Sequence, residues 1–197
     1  MKKISAIILA AGISSRMGYL KQLADIKGNS MLEIVLNKVK KFPFNEIIVV
    51  LGYKHEEVLK NLKLTIEKVV INKEYEKGMS SSLKKGVLNI SEDSEAFAIF
   101  LADMPLIKEE TIKKVIEEFN NKSSLIVAPV YNKEIGHPVI FHRSLIHEII
   151  NLEGDIGAKK VIKKYKDKAC FVEVDDEGIL IDIDTLKDLE EVLRKLN

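Results

Sequence analysis

The stretch ISAIILAAGISSRMGYLK, residues 4–21, joins an unbroken apolar run to a loop that contains glycines, serines and two cations. A short apolar run of this kind is typical of a strand buried on both faces, as in a parallel sheet. Similar runs recur at residues 47–51, 69–71, 96–102 and 125–128. Segments with helical spacing lie between them, such as Ile112, Val115, Ile116 and Phe119. The alternation predicts an α/β fold with a doubly wound, mostly parallel sheet and helices on both faces.

The rest of the chain continues this pattern. Ser30 with Glu33 and Thr185 with Asp188 have the spacing of capping boxes, which predicts helices that begin at these points. Further strands, some of them antiparallel, are predicted in the last third of the chain at residues 137–141, 169–174 and 179–183. No linker, low-complexity tract or internal repeat is visible, so we expect residues 1–197 to form a single domain.

The composition argues against some classes of partner. The 31 basic and 30 acidic residues leave a formal charge of +1, which gives no bulk electrostatic case for binding nucleic acid or a membrane. The first apolar run leads into a polar loop instead of a cleavage site, and no run reaches transmembrane length. We therefore expect a cytoplasmic protein. The single cysteine, Cys170, lies in an apolar run, which is typical of a buried and inert thiol.

The loop at residues 10–21 follows the first predicted strand, and ligands of open α/β sheets bind at the carboxyl ends of strands. Gly12 and Gly18 would let the backbone approach a ligand closely. Exposed backbone N–H groups together with Arg16 and Lys21 suit a polyphosphate. Neither GxxxxGK[ST] nor GxGxxG is present. An ordinary strand-to-helix turn is the alternative interpretation of this composition.

Other segments after predicted strands also carry polar groups. The segment NKEYEKGMSSSLKKG, residues 72–86, places Ser80, Ser81 and Ser82 at the start of a helix, where they could bind an anion or a base edge. Asp103 ends the most apolar strand, and Asp155 lies between two glycines, so the two carboxylates could share one magnesium ion. Helix capping is the simpler alternative for each of these residues. His137 and His142 lack zinc-ligand spacing.

Taken together and in this order, these segments resemble the MobA-like nucleotidyltransferases, and within that family the molybdenum cofactor cytidylyltransferase branch. The likeness covers nearly the whole chain, and six segments in family order make it specific. They are LAAGISSRMG with Lys21, residues 72–86, Asp103-Met104-Pro105, Gly136-His137-Pro138 with Phe141, GDIGA at 154–158, and DIDTLKDL at 182–189. One departure is GNSML at 28–32, which lacks a proline that the family often has, so we expect a local difference in that turn.

The resemblance implies a Rossmann-like nucleotide-diphospho-sugar transferase fold, Mg²⁺ as the cofactor, and transfer of a nucleoside monophosphate to a phosphorylated acceptor. The residues that match the family motifs are then assigned as follows: Leu9, Ala10, Ala11 and Gly12 to the base and ribose, Arg16 and Lys21 to the triphosphate and to catalysis, and Asp103 and Asp155 to the metal. Asp103 would also be catalytic, and Ser80, Ser81 and Ser82 would contribute to nucleotide binding. The roles of His137 and Asp184 stay open.

The reaction that the resemblance implies is attack by the terminal phosphate of a molybdopterin cofactor on the α-phosphorus of CTP, with release of pyrophosphate. Related guanylyltransferases have a glycine where this chain has Ala11, so we expect CTP to be preferred over GTP. A molybdenum hydroxylase would be the client of the product. The alternatives are a guanylyltransferase, a transferase acting on a sugar or alditol phosphate, and a non-catalytic accessory factor that delivers nucleotide or cofactor to such a hydroxylase.

Overall fold

The structure is a computed structural model that describes residues 1–62, 65 and 67–195. Its strands are β1 (Ile4–Ala10), β2 (Asp25–Ile26), β3 (Asn29–Ser30), β4 (Glu46–Leu51), β5 (Lys68–Ile71), β6 (Ala96–Leu101), β7 (Ile126–Tyr131), β8 (Glu134–Ile135), β9 (Val139–His142) and β10 (Ala169–Glu173). Its α-helices are α1 (Met31–Val39), α2 (His55–Asn61), α3 (Met79–Val87), α4 (Glu109–Asn121), α5 (Ile146–Ile150), α6 (Lys159–Lys164) and α7 (Leu186–Lys195). Within the described ranges, no helix combines the length and the apolar character needed to cross a membrane.

Eight of the strands form one sheet with the order β10-β7-β9-β6-β1-β4-β5, and β8 pairs with β7 beside this path. The interior strand β1 is parallel to both β4 and β6, and the pairs β4–β5 and β7–β10 are also parallel. The strand β9 runs antiparallel between β6 and β7. The predicted α/β fold with a mostly parallel sheet is therefore confirmed.

Helices cover both faces of the sheet because successive side chains of a strand point in opposite directions. Ile8 and Ala10 of β1 belong to an apolar cluster that includes buried residues of α1, α2 and α4. Ile7 and Leu9 belong to a second cluster, which includes buried residues of α3, α5 and α6. Every residue of β1 is buried, which explains why its apolar run is almost unbroken in the sequence.

Both predicted capping boxes are confirmed. At α1, the Ser30 hydroxyl accepts a hydrogen bond from the Glu33 N–H, and the Glu33 carboxylate accepts one from the Ser30 N–H. At α7, Thr185 and Asp188 exchange the same two bonds over 3.2 Å and 2.7 Å. The segment that departs from the family contributes strand β3 to a small hairpin with β2, and Gly28, with a φ of +87°, lies in the turn between the two strands. Glycine adopts that backbone conformation without strain.

The strand predicted at residues 179–183 is wrong. The chain makes a 3-10 turn at Glu177–Ile179 and then crosses the carboxyl edge of the sheet without pairing as a strand. Its backbone bonds to loops instead, because the Ile179 carbonyl accepts from the His137 N–H and the Ile183 N–H donates to the Asp103 carbonyl. Ile179 and Ile183 are fully buried, so the apolar pattern reflects burial against loops, which a strand pattern also produces.

A third, smaller apolar cluster lies outside the two that flank the sheet. It joins Met17 from the glycine-containing loop and Ile26 from β2 to Ile183 and to Leu189 and Val192 of α7. The C-terminal helix therefore packs against the loop that follows β1. This contact brings residues 182–184 to the carboxyl end of the sheet.

Candidate functional site

A cavity of about 490 Å³, here called the first cavity, opens beyond the carboxyl ends of β1 and β6. Its position is the one at which open α/β sheets bind ligands. Most residues that the sequence assigns to a nucleotide site line it, and they are Leu9, Ala10, Ala11, Gly12, Arg16, Lys21, Ser82, Asp103 and Asp155. Gln22, Asp182 and Asp184 line it as well.

Gln22 fixes the backbone wall of the first cavity. Its side chain is almost fully buried, and its amide nitrogen donates to the carbonyl oxygens of Ala10 at 2.9 Å and Gly12 at 3.1 Å. Ser14, which has a φ of +59°, accepts a hydrogen bond from the Lys21 N–H through its hydroxyl at 3.1 Å. These bonds close the loop on itself, so that its backbone is held in place beside the cavity.

The loop after β4 packs against Ala11. Its carbonyl oxygen accepts a hydrogen bond from the Tyr53 N–H at 3.2 Å. A Cβ added to Gly52 would lie 2.7 Å from that oxygen and 2.8 Å from the Cβ atoms of Ala11 and Tyr75. Because those distances are too short for a methyl group, Gly52 is needed for this close approach. The position of Ala11 in the wall is therefore determined by packing.

The charged groups of the first cavity meet at Lys21. Its amine donates to Asp103 Oδ2 at 2.5 Å and to Asp184 Oδ1 at 2.7 Å. The other carboxylate oxygen of Asp184 accepts from the Arg16 guanidinium at 2.6 Å. The side chains of Lys21, Asp103 and Asp184 are 16%, 18% and 23% exposed, whereas that of Arg16 is 66% exposed. Asp184, whose role the sequence left open, thus connects both predicted triphosphate ligands.

Burial and the neighbouring charges shift the pKa values of Lys21 and Asp184 in opposite directions. Burial disfavours the charged amine of Lys21, but the charges and hydrogen bonds of Asp103 and Asp184 outweigh it and raise the lysine pKa. Burial likewise opposes the ionised form of Asp184, yet Lys21 and then Arg16 lower the pKa of that carboxyl overall. The pKa of Asp182 is raised by burial and by the charges of Asp184 and Asp103. Lys21 and Asp184 are therefore a charged pair at neutral pH.

One oxygen of Asp103 has no hydrogen-bond partner within the described part of the chain. Its Oδ1 is buried and has no hydrogen-bond partner among the described residues, whereas its Oδ2 is bonded to Lys21. An unpaired buried carboxylate oxygen is costly unless something binds it. The described residues contain no group of three or more His, Cys, Asp or Glu side chains arranged to hold a metal ion. A carboxylate oxygen is nevertheless the donor that a hard divalent cation prefers, so the residues present fit such an ion.

The three serines of α3 have different surroundings. Ser82 lines the first cavity, but Ser80 and Ser81 are not among its lining residues. The fully buried Asn72 donates to the hydroxyls of Ser81 at 2.8 Å and Ser82 at 3.0 Å. Ser81 also donates to the Gly78 carbonyl. Asn72 therefore orients the hydroxyl that faces the cavity.

Asp155 lies at the start of α3, whereas its place in the sequence suggests that it begins the helix that follows it. The helix after it begins only at Lys159, whereas Asp155 Oδ1 accepts from the N–H of Met79, the first residue of α3, at 2.9 Å. The Gly154 carbonyl accepts from the Ser80 N–H. Asp155 thus caps α3 and lines the first cavity at the same time.

A second cavity of about 620 Å³ adjoins the first one and shares Met79, Leu101, Asp155 and Asp182 with it. Most of the other lining side chains are apolar, while Glu134, His137, Lys159 and Lys160 add polar groups. Burial lowers the pKa of His137, whose Nδ1 lies 3.4 Å from the Ile99 carbonyl oxygen. The two cavities therefore share part of their lining at the carboxyl edge of the sheet.

Sequence reasoning missed Gln22, Asn72 and Asp182. A buried polar side chain indicates a structural or functional role only when its burial is known. The sequence does not give the burial of Gln22 or Asn72, so it does not single them out. Asp182 lies in the DIDT segment, where the sequence singled out only Asp184.

Comparison with known proteins agrees with this geometry. A family model described as the MobA-like NTP transferase domain matches residues 6–169. The chain is 29% identical over 208 residues to a probable molybdenum cofactor guanylyltransferase of Natranaerobius thermophilus, which covers 98% of this chain and 96% of that protein. It is 27% identical to the molybdenum cofactor cytidylyltransferase of Escherichia coli K12, over 95% of this chain and 94% of the relative.

The fold has a close counterpart among solved structures. The crystal structure of Rv0371c from Mycobacterium tuberculosis superposes with a TM-score of 0.90 at 26% sequence identity, and the match covers 98% of each chain. The elements described above therefore occur in the same arrangement in a protein that shares about a quarter of the residues.

Proposed function

The chain belongs to the MobA-like NTP transferase family, and on that premise we propose that it transfers the cytidylyl group of CTP to the terminal phosphate of molybdopterin cofactor. Pyrophosphate is the second product. The observation that carries the proposal is the convergence of Arg16, Lys21 and Asp103 on one cavity, whose wall is the backbone of residues 9–12. Cations, a carboxylate and an exposed backbone are the groups that a nucleoside triphosphate with its metal ion requires.

The nucleotide would lie in the first cavity. Leu9, Ala10, Ala11 and Gly12 would contact the base and ribose, and Ser82 supplies a hydroxyl for the base edge. Arg16 and Lys21 would bind the triphosphate, since both carry a full positive charge on the same loop. The buried bonds from Gln22 support this assignment, because a wall that is fixed before binding loses less entropy when the ligand arrives.

Mg²⁺ is the cofactor that we propose, with Asp103 and Asp155 as its protein ligands. When bound there, it would neutralise negative charge on the phosphates. The unpaired Oδ1 of Asp103 supports this assignment, and both carboxylates line the first cavity. One or two carboxylates together with substrate phosphates are a common ligand set for this ion.

The acceptor would lie in the second cavity. Its border with the first cavity is formed in part by Asp155 and Asp182, so an acceptor phosphate at that border would face the α-phosphorus of the nucleotide. Lys159 and Lys160 provide positive charge for an anionic ligand, and the apolar lining suits a fused ring. A neutral His137 with its proton on Nδ1 would leave Nε2 as a hydrogen-bond acceptor for ring N–H groups.

No general base is needed for this reaction. A phosphate monoester has its second pKa near 6, so it is already a dianion at neutral pH. The chain's contribution is then to hold two anionic ligands in line and to offset their charge, which is the usual basis of catalysis in phosphoryl and nucleotidyl transfer. Arg16 and Lys21 supply that positive charge.

The choice of CTP rests on Ala11. Ala11 lines the nucleotide cavity, and Gly52 closely approaches its carbonyl oxygen and its Cβ. We infer that the methyl group of Ala11 limits how closely a base can approach this part of the wall, which disfavours a purine more than a pyrimidine. Guanylyl transfer is the second candidate, favoured by the similarity to the probable guanylyltransferase. One missing methyl discriminates by only about 1–3 kcal/mol, so direct competition of the two nucleotides is informative.

The experiment that tests the proposal is product identification. The protein is incubated with molybdopterin cofactor, Mg²⁺ and each nucleoside triphosphate, and both pyrophosphate and the mass of the product are measured. We expect a cytidine dinucleotide cofactor and one pyrophosphate for each product. The Asp103→Asn variant, which keeps the side-chain shape, is the matched control and should release far less pyrophosphate. Tight binding of nucleotide and cofactor without pyrophosphate would instead establish a non-catalytic accessory factor, and a product from a sugar or alditol phosphate alone would reassign the acceptor.

A further inference from the structure

The amine of Lys21 already has two strong partners in the described structure. It donates to Asp103 over 2.5 Å and to Asp184 over 2.7 Å, and its side chain is only 16% exposed. An ammonium group has three donor hydrogens, so only one of them is left for a triphosphate. The amine therefore has to give up a carboxylate partner before it can donate more than one hydrogen bond to a triphosphate.

The same carboxylate is also where a divalent cation would bind. Asp103 Oδ1 is buried and has no hydrogen-bond partner among the described residues, while Oδ2 of the same group holds the ammonium. A cation on Oδ1 would place two positive centres on one carboxylate in a mostly buried site. Like charges repel strongly at such short range because little water lies between them.

We propose that Lys21 is the internal counter-ion of Asp103 and Asp184 in the ligand-free protein, and that it leaves Asp103 when the divalent cation binds. The cation and the lysine exchange as partners of that carboxylate. The released amine is then free for the triphosphate. This inference rests on the proposed function only in taking Asp103 as a metal ligand.

Arg16 makes the exchange feasible for Asp184. Its guanidinium bonds the second oxygen of Asp184 at 2.6 Å, so the carboxylate keeps a cationic partner when Lys21 moves. Arg16 is 66% exposed, and its side chain lies at the outside of the group. Lys21 and Arg16 therefore have different roles, although both lie on the same loop. Lys21 changes partner, whereas Arg16 stays with Asp184.

The exchange predicts that removing Lys21 strengthens metal binding. Mn²⁺ alone, without nucleotide or acceptor, is titrated into the wild-type protein and into Lys21→Met, and free Mn²⁺ is followed by electron paramagnetic resonance. We expect Lys21→Met to bind Mn²⁺ at least tenfold more tightly. Lys77→Met is the matched control, since Lys77 is exposed and pairs with Glu74 in the loop before α3, and its affinity should stay within twofold of wild type. An unchanged or lower Mn²⁺ affinity in Lys21→Met would overturn the proposal.

Thermal unfolding supplies a second measurement. Without Lys21, two carboxylates lose their shared counter-ion, so Lys21→Met should unfold at a lower temperature than wild type when no metal is present. Mn²⁺ should then raise the unfolding temperature of this variant more than that of wild type, because it replaces the missing charge. Lys21→Gln, which keeps a donor without the charge, should behave like Lys21→Met. Equal Mn²⁺ stabilisation of all three proteins would contradict the exchange.

A measurement on the wild-type protein covers the case in which the variants do not fold. The rate of acetylation of the Lys21 amine is measured by peptide mass spectrometry with and without Mn²⁺, and Lys77 serves as the internal reference. The rate at Lys21 relative to Lys77 should rise several-fold with Mn²⁺, since the amine leaves Asp103. A constant ratio would overturn the exchange.

The outcomes separate this inference from the proposed function. None of the three measurements contains CTP or molybdopterin, so a wrong base or acceptor leaves their results unchanged. Tighter Mn²⁺ binding in Lys21→Met together with no pyrophosphate release would support the exchange and refute the transferase. No Mn²⁺ binding to any of the proteins, together with normal pyrophosphate release, would refute the exchange alone.

Discussion

Replacement of Gln22 by methionine tests whether the nucleotide loop is fixed before the ligand binds. The substitution keeps the length of the side chain and removes the amide that donates to Ala10 and Gly12 over 2.9 Å and 3.1 Å. Each neutral hydrogen bond contributes about 0.5–1.5 kcal/mol, and a buried carbonyl left without a donor costs about 1–3 kcal/mol. The Ala10 bond is buried and the Gly12 bond is partly buried, so we expect a loss of about 2–4 kcal/mol in the free energy of unfolding.

Urea denaturation of the two proteins measures that difference, and calorimetric titration with CTP measures its effect on binding. The dissociation constant for CTP should rise roughly tenfold, which corresponds to 1.4 kcal/mol, because part of the ordering of residues 10–12 is then left to the ligand. Gln22→Glu provides a contrast, since it puts a carboxylate oxygen against the same carbonyls and should destabilise the protein further. A Gln22→Met protein within 0.5 kcal/mol of wild type and with unchanged CTP affinity would refute the assignment of Gln22 as the support of the loop.

Four other substitutions test different parts of the site. Asp103→Ala should reduce turnover on the order of a hundredfold or more without unfolding the protein. Asp155→Ala should reduce turnover less but should also lower stability, because the Asp155 carboxylate caps the Met79 N–H. Steady-state pyrophosphate release measures turnover and circular dichroism measures folding, and near-normal turnover in both variants would refute the metal assignment. Ala11→Gly should weaken the preference for CTP over GTP by about 1–3 kcal/mol in competition assays, whereas a wild-type protein that prefers GTP would contradict the cytidylyl assignment. Gly136→Ala should destabilise the fold by about 1–3 kcal/mol in urea, since its Cβ would lie 2.3 Å from a backbone oxygen, and unchanged stability would show that the neighbouring loop can move.

The sequence predicted those elements whose signals are local. The run at residues 4–9 needs only its own composition to indicate a strand buried on both faces, and the structure places β1 inside the sheet, between β6 and β4. Ser30 with Glu33 needs only a spacing of three residues to predict a helix start. The glycine-containing loop could be assigned to the carboxyl edge of the sheet because topology alone determines that position.

Parts of the site that depend on distant contacts could not be predicted in the same way. Lys21 and Asp184 are 163 residues apart, and nothing in either segment indicates that they bond. The residues that bring them together, at 179–183, carry the apolar pattern of a strand, and only their hydrogen bonds to loops show that they are not one. A pattern records burial, but it does not record which surface a residue is buried against.

The serines of α3 show the same limit at a shorter range. Three consecutive polar residues at a helix start predict one shared role, yet successive residues of a helix point about 100° apart. Ser82 therefore lines the first cavity, whereas Ser80 and Ser81 are not among its lining residues. The motif predicts the segment, and the geometry of the helix decides which of the three serines lines the cavity.

The small apolar cluster between α7 and the loop after β1 has a consequence for the order in which the sheet and the site form. All described strands of the main sheet lie within residues 4–173, so strand pairing does not require α7. Met17 and Ile26 meet their partners Ile183, Leu189 and Val192 only when α7 and the residues before it dock onto the sheet. Asp184 docks with them. The sheet can therefore form before the charged group of the first cavity is complete, and the docking of α7 would also be the step that orders the loop.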